Sequence, residues 1–219
     1  MNYYERSDNC LYNPIHVKFN EDLSIGSTFS SSLQYPSFFT LRNSYFNVSQ
    51  NVLNNINSTI KSDAFTFKNG LIDEEIQVND DNNKNNNPEV KYRVITNYAN
   101  TFSKNHILST IVNLMAFVDE KIEYNELNNY NFDLLTGNMF TIGNVFNPNV
   151  DYLKVISNYV NYKISQNKEL YYKDVVVDIP EDQAFYLTDE GIVIYFGVDE
   201  IAPKEFGIPR FTMEYKKFA

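Results

Sequence analysis

One cysteine, two histidines, seven glycines and no tryptophan stand in a chain of 219 residues. The single Cys10 excludes an internal disulfide framework, and its setting in an aperiodic start marks it as incidental. His16 and His106 lie far apart in sequence, so Cys and His alone assemble no metal site. No metal or other cofactor is expected. No Ser or Cys sits in a nucleophile elbow, and no glycine-rich phosphate loop occurs. No run reaches the roughly 18–20 apolar residues of a membrane helix. The opening MNYYERSDNCLYNP lacks a basic n-region and an apolar h-region. No signal peptide is expected, which assigns the chain to the cytoplasm unless a leader has been removed. Cations are also scarce: 18 Lys and Arg against 28 Asp and Glu leave a net charge of −10. Nucleic acid is therefore not an expected partner, because a phosphate backbone rewards clustered Lys and Arg. The acidity serves either solubility or the steering of a basic protein partner.

What is present suffices for a core. Hydrophobic residues make up 43% of the chain, enough for one large domain or two small ones. Residues 1–13 show no period and read as a loose start. IHVKF (15–19) alternates Ile15, Val17 and Phe19 against His16 and Lys18, the pattern of a half-buried strand. SFFTL (37–41) reads as a second strand. Val48, Val52, Leu53, Ile56 and Ile60 fall at helical spacing, with Asn47 placed to cap. NDDNNKNNNPE (79–89) reads as a polar loop joining two strands. Val90, Tyr92, Val94 and Thr96 alternate as a strand; HILSTIVNLMAFV (106–118), apolar and β-branched, suits a helix or a strand, and its place after a strand and the TFSKN turn makes it the return strand. NYNFDLLTGNMFTI (129–142) reads as strand, turn at Thr136-Gly137-Asn138, strand. Val150, Leu153, Ile156, Val160 and Ile164 predict a second helix, with Asn149 suited to its cap and Asp151 to its first turn. Tyr152, Tyr159 and Tyr162 line its flank as core edge. DVVVDI (174–179) reads as a short β-rich run.

The C-terminal stretch FYLTDEGIVIYFGVDEIAPKEFGIPRF is written densely. AFYL and IVIYF read as strands joined by TDEG, with Gly191 expected at positive φ in a bulge. Phe185 and Leu187 share a face with Ile192, Ile194 and Phe196. Pro203 and Pro209 hold their predecessors extended, and Gly207 permits a reversal. RFTMEY then closes the sheet. The sum is an α+β fold, mainly antiparallel sheets with two principal helices and two packed subdomains, 14–104 and 105–219.

These residues also carry a resemblance. DQAFYLTDEGIVIYFGVDEIAPKEFGIPRFTMEY resembles the C-terminal segment of RsiV-type extracellular domains. It does so through Phe185-Tyr186-Leu187-Thr188, Gly191-Ile192-Val193, Tyr195-Phe196, Glu200-Ile201-Ala202-Pro203 and Gly207-Ile208-Pro209. NYNFDLLTGNMFTIGNVF is similar to the family's Asp-Leu-x-Thr-Gly turn, and YFNVSQNVLNNINSTIK to the helix of its companion domain. The likeness spans roughly residues 14–219. RsiV-type anti-sigma factors sense lysozyme, and the module also occurs on some peptidoglycan deacetylases and in many uncharacterised clostridial and bacillar proteins. The resemblance implies a binding module whose partner is a lysozyme-like protein or peptidoglycan. One departure stands out: a Thr-Gly-Gly-Ala-His stretch before the Asp-Leu strand is replaced by MAFVDEKIEYNELNNYNFD.

Catalysis finds little support in the residues. Two carboxylates flanking a sugar would suit glycoside hydrolysis, yet the pairs Asp73-Glu74-Glu75, Asp80-Asp81, Asp119-Glu120, Asp189-Glu190 and Asp199-Glu200 are adjacent in sequence and read as solvated turns. The chain is expected not to be an enzyme. Candidate partner contacts are the hairpin tip, Asp189 and Glu190, and the crossing loop, Asp199, Glu200, Lys204, Glu205 and Phe206. Phe206 serves there as anchor within an acidic rim, or else tucks under its own loop.

Overall fold

The computed structural model describes residues 12–40 and 48–217. The expectations placed on residues 1–11, including Cys10, and on Asn47 and Leu41 fall outside them. The fold is α+β: two α-helices, a five-stranded sheet of order β1-β2-β3-β4-β5 and a three-stranded sheet of order β6-β7-β8. Two compact units are interleaved along the chain. Among the described residues, one comprises 14–40, 48–99 and 112–128, the other 12–13, 100–111 and 129–217.

The first unit opens with β1 (Ile15–Ile25) antiparallel to β2 (Phe29–Thr40). β2 then runs parallel to β3 (Tyr92–Lys104), from Phe29↔Tyr92 to Leu33↔Thr96. Parallel neighbours need a long crossover, and α1 (Gln50–Lys84) supplies it in 35 residues. Ser49 caps α1 by accepting from the Asn51 N–H. Leu53, Ile56, Ile60, Ala64 and Leu71 are its buried stripe. Leu33, Leu71, Tyr92, Val94 and Ala116 form one core cluster, with Phe65, Phe67 and Tyr124 packed on it.

Two expectations fail here. Residues 79–84 are helix rather than loop, and the following turn joins a helix to a strand. Asparagine propensity is overridden because Asn79 is buried, donating to Glu75 at 2.8 Å and to the Val90 carbonyl at 3.0 Å, while the Val90 N–H donates back at 2.7 Å. Val17 and Phe19 are exposed, not half-buried, since it is the Asp22 side of β1 that meets α1, through Lys68 at 2.9 Å.

The strand-and-return reading holds: β4 (Ile107–Val118) follows β3, and β5 (Lys121–Asp133) follows β4, each with residues in both units. The turn after β5 has Gly137 at φ 78°, but only a single bridge, Phe132↔Met139, replaces the expected strand. α2 (Tyr152–Gln166) is capped by Asp151, which accepts from the Lys154 N–H at 3.3 Å, so the cap lies two residues beyond Asn149. Ile156, Val160 and Ile164 are buried, with Val150, Leu153, Tyr152 and Tyr159 against the same core; Tyr162 is exposed. Residues 174–179 form no strand. Asn161 of α2 takes the place of a neighbouring strand, donating to the Val177 carbonyl at 2.7 Å and accepting its N–H at 2.9 Å.

β6 (Phe185–Leu187), β7 (Gly191–Tyr195) and β8 (Arg210–Glu214) form the antiparallel sheet read from sequence. Phe185 faces Ile194 and Leu187 faces Ile192, and all four are buried with Phe196, Phe211 and Met213. Gly191 does not adopt positive φ. Its need is space: a Cβ there would lie 2.1 Å from the Met213 carbonyl oxygen. The Thr188 hydroxyl shapes the turn instead, accepting from the N–H groups of Glu190 and Gly191 at 3.3 and 3.2 Å. A buried polar relay ties β6 to β4 and β5. The Ser109 hydroxyl donates to Asn131 at 2.7 Å and accepts the Leu187 N–H at 3.0 Å, while Asn131 donates to the Phe185 carbonyl at 2.9 Å.

Candidate functional site

The crossing loop between β7 and β8 is held by its own residues. The Glu200 carboxylate accepts the Gly197 N–H at 2.6 Å, a charge-assisted bond that closes the first bend. Asp199, at φ 67°, accepts from the Tyr172 hydroxyl. That bond, more than burial, raises the Tyr172 phenol above its ordinary pKa. Ile201 and Ala202 are buried beneath the loop. Lys204–Phe206 then makes a short 3₁₀ turn, and Gly207 reverses the chain at φ 76°, as its place between two prolines predicts.

Phe206 stands at the outer end of an aromatic row. Its ring centroid lies 5.6 Å from Tyr171, Tyr171 lies 5.9 Å from Phe211, and Phe211 lies 5.7 Å from Phe196. Such spacings bring favourable ring contacts beyond simple burial. Phe206 nevertheless keeps 39% of its surface exposed. One face leans on its own unit and the other is available, so anchor and tuck are two sides of one ring. Lys204 and Glu205 beside it are exposed.

The hairpin tip is a separate place. Asp189 pairs with Lys104 at 2.7 Å, and the Glu190 carbonyl accepts the Tyr215 N–H at 3.3 Å. Gly191 opposes Glu214 while Tyr195 opposes Arg210, so tip and crossing loop lie at opposite ends of β7. Four residue steps at about 3.3 Å each put them roughly 13 Å apart. The seven candidate contacts thus divide into two groups.

Beside the crossing loop lies an open groove of about 730 Å³ that the sequence did not disclose. Asn161, Ile164 and Ser165 of α2 form one wall, and Lys168, Tyr171 and Tyr172 the other. Tyr171 and Tyr172 therefore serve both groove and loop. Burial raises the Tyr171 phenol, which stays protonated and able to donate at neutral pH. The segment 168–176 shows no helical or strand period over its first half, and the one signal that could have found it is the pair Tyr171-Tyr172 after the end of α2. Among the described residues no group of three or more His, Cys, Asp or Glu converges to hold a metal ion. The His16 ring stacks on Phe39 at 5.5 Å, and the backbone N–H of His106 donates to the Asn13 side chain at 2.7 Å. No helix among the described residues is long and apolar enough to cross a membrane.

The family model described as "Protein of unknown function (DUF3298)" matches residues 143–216, which contain α2, the groove, the three-stranded sheet and the crossing loop. Among solved structures, the chain is similar to a member of the DUF3298 family from Bacteroides fragilis NCTC 9343. The two share 12% identity at a TM-score of 0.62, over 92% of this chain and 91% of that one. It is also similar to a DUF3298-family protein from Pseudomonas aeruginosa PAO1, at 10% identity and a TM-score of 0.53, over 93% of this chain and 91% of that one. At such identities the likeness is one of fold. No curated protein matches the chain.

Proposed function

We propose that this chain is a non-catalytic binding module of the RsiV type, taking a basic protein of the lysozyme kind as its partner. The observation that carries this reading is Phe206, an exposed aromatic on a braced loop, with Glu205 beside it and Asp199 in the same loop. An anchor ring within an acidic rim suits a basic surface, and a net charge of −10 would speed the encounter. The acids of the loop hold the loop: Glu200 is engaged by a backbone amide and Asp199 by a phenol. Those engagements favour binding over acid–base work.

The test is calorimetric titration of the chain with a basic lysozyme at low and at moderate salt. One-to-one binding that persists with salt is expected, and Phe206→Ala should weaken it by about tenfold or more while the chain still folds and melts cooperatively. Binding confined to low salt would reduce the effect to opposite charges and overturn the reading.

A second reading, a peptidoglycan or carbohydrate module, draws on the groove, where Tyr171 and Tyr172 supply the aromatic surface that a chain without tryptophan must use. Retention on insoluble peptidoglycan that survives high salt would favour it. Absence of both activities would leave a protein that keeps the fold without the partner.

A further inference from the structure

β1 presents an edge of unusual regularity. It pairs with β2 on one side and, among the described residues, with no strand on the other. Its 11 residues are about twice the common strand length. Edge strands are commonly protected by proline, by a bulge or by brevity. β1 has none of these and is guarded by charge alone, at Lys18, Glu21 and Asp22: no proline occurs in it, and its register with β2 runs unbroken from Ile15↔Thr40 to Ile25↔Ser30. Its outward face, turned away from the Asp22–Lys68 pair, is apolar around one carboxylate, Glu21, which accepts from Gln34 at 3.1 Å. Val17 is 43% exposed, Phe19 52%, Leu23 64% and Ile25 91%.

We propose that this edge pairs with the same edge of a second copy, antiparallel about a two-fold axis at Asn20, to make a continuous ten-stranded sheet across a homodimer. The sequence IHVKFNEDLSI is self-complementary about that centre except next to the axis, where Phe19 meets Glu21. Ile15 meets Ile25 of the second copy, Val17 meets Leu23, and Lys18 meets Asp22. Residues opposed in this way have the same parity, so the free backbone groups of one edge face those of the other, and the apolar faces fall on one side. Moving the centre by half a residue would set an apolar face beside a polar one. Moving it by one residue would set Lys18 opposite Ser24 or Asn20 and lose the charge pair. Asp22 keeps a free oxygen for this contact, since Lys68 takes Oδ1 at 2.9 Å and the carboxylate side chain remains 40% exposed. Like charges opposed across a ladder are destabilising and opposite ones favourable, so the pair Lys18–Asp22 selects both the partner and the register. An isologous contact of this kind closes on itself and does not propagate.

The experiment is sedimentation velocity on the full chain over a concentration series. The wild type should be dimeric at high concentration and dissociate on dilution. Lys18→Glu sets Glu against Asp22 and should leave only monomer. Asp22→Lys combined with Lys68→Glu keeps an ion pair within the chain, sets Lys against Lys18 and should also be monomeric. An equimolar mixture of the two variants restores both opposite-charge pairs and should recover the dimer. Circular dichroism confirms that each variant is folded. A wild-type chain that stays monomeric at its highest soluble concentration would overturn the proposal. So would a dimer indifferent to Lys18→Glu, or a mixture of folded variants that fails to associate.

Discussion

Glu74 shows how much a single carboxylate can organise. It receives the Tyr92 hydroxyl at 3.0 Å on one oxygen and the Tyr124 hydroxyl at 2.9 Å on the other. Burial first, and then the bond to Glu74, push the Tyr92 phenol up to about 12. For Tyr124 the bond to Glu74 leads, and burial adds to it. Ionising either phenol would put a second negative charge against the carboxylate. The sign of the pH effect follows from linkage. Both folded-state values lie above the unfolded value of 10.0, so the stabilisation is fully present below that pH. It is lost as pH rises through the interval from 10 to about 12. Unfolding midpoints in urea, measured between about pH 8 and about pH 11, should therefore fall steeply at the alkaline end. Glu74→Gln should lower stability at neutral pH by about 1–2 kcal/mol, because both bonds lose their charge assistance. It should also make the alkaline fall shallower. Parallel pH curves for the two proteins would show that Glu74 is not the source of the effect.

At the scale of elements, one device recurs. Asn57 of α1 accepts the Phe38 N–H at 2.7 Å and donates to the Phe38 carbonyl at 2.9 Å. Asn79 of α1 does the same for Val90, and Asn161 of α2 for Val177. Each helical amide presents one donor and one acceptor at the spacing of a peptide group and satisfies an extended segment as a neighbouring strand would. Asn161→Ala should cost about 2 kcal/mol, since it leaves the part-buried N–H and C=O of Val177 without their partner. Asn161→Gln should not rescue, because one extra methylene displaces the amide. Hydrogen exchange is the sharper check: the Val177 amide should exchange faster while the amides of α2 stay protected. Unchanged exchange at Val177 would remove the device from the account of that segment. The same device explains where sequence reading failed. Alternation identifies β3, which buries Tyr92, Val94 and Thr96 more deeply than their neighbours; β4, β6 and β7 are legible as apolar, β-branched runs between turn signals, and β6 and β7 are buried on both faces. DVVVDI and the Asn-rich end of α1 were misread because their partners are helical asparagines, which in a sequence look like solvated polar residues. The crossing loop was legible from Pro203, Gly207 and Pro209. The groove was not, since it is assembled from the end of α2 and an aperiodic segment.

At the scale of the whole molecule, chain order and packing order part company. Residues 112–128 belong with 14–99, and residues 12–13 and 100–111 belong with 129–219. The interleaving has a visible cause in each unit. Ala116 lies in the cluster with Leu33 and Val94, and Tyr124 packs on it. Asn13 donates to the Ile107 carbonyl at 2.7 Å and accepts the His106 N–H at 2.7 Å, tying the chain before β1 to the turn between β3 and β4. A fragment of residues 14–104 lacks Ala116, Val118 and Tyr124. It leaves one side of that core open and removes one of the two phenols from Glu74. Closing a core is what makes unfolding of a small domain all-or-none. Fragment 14–104 is therefore expected to show a broad, non-cooperative thermal transition and poorly dispersed amide NMR signals. Fragment 14–128, which holds every residue of that unit, should melt cooperatively with dispersed signals. Should 14–104 melt as sharply as 14–128, β4 and β5 would be additions to a core that β1, β2, α1 and β3 already close, and the chain would divide at a single point.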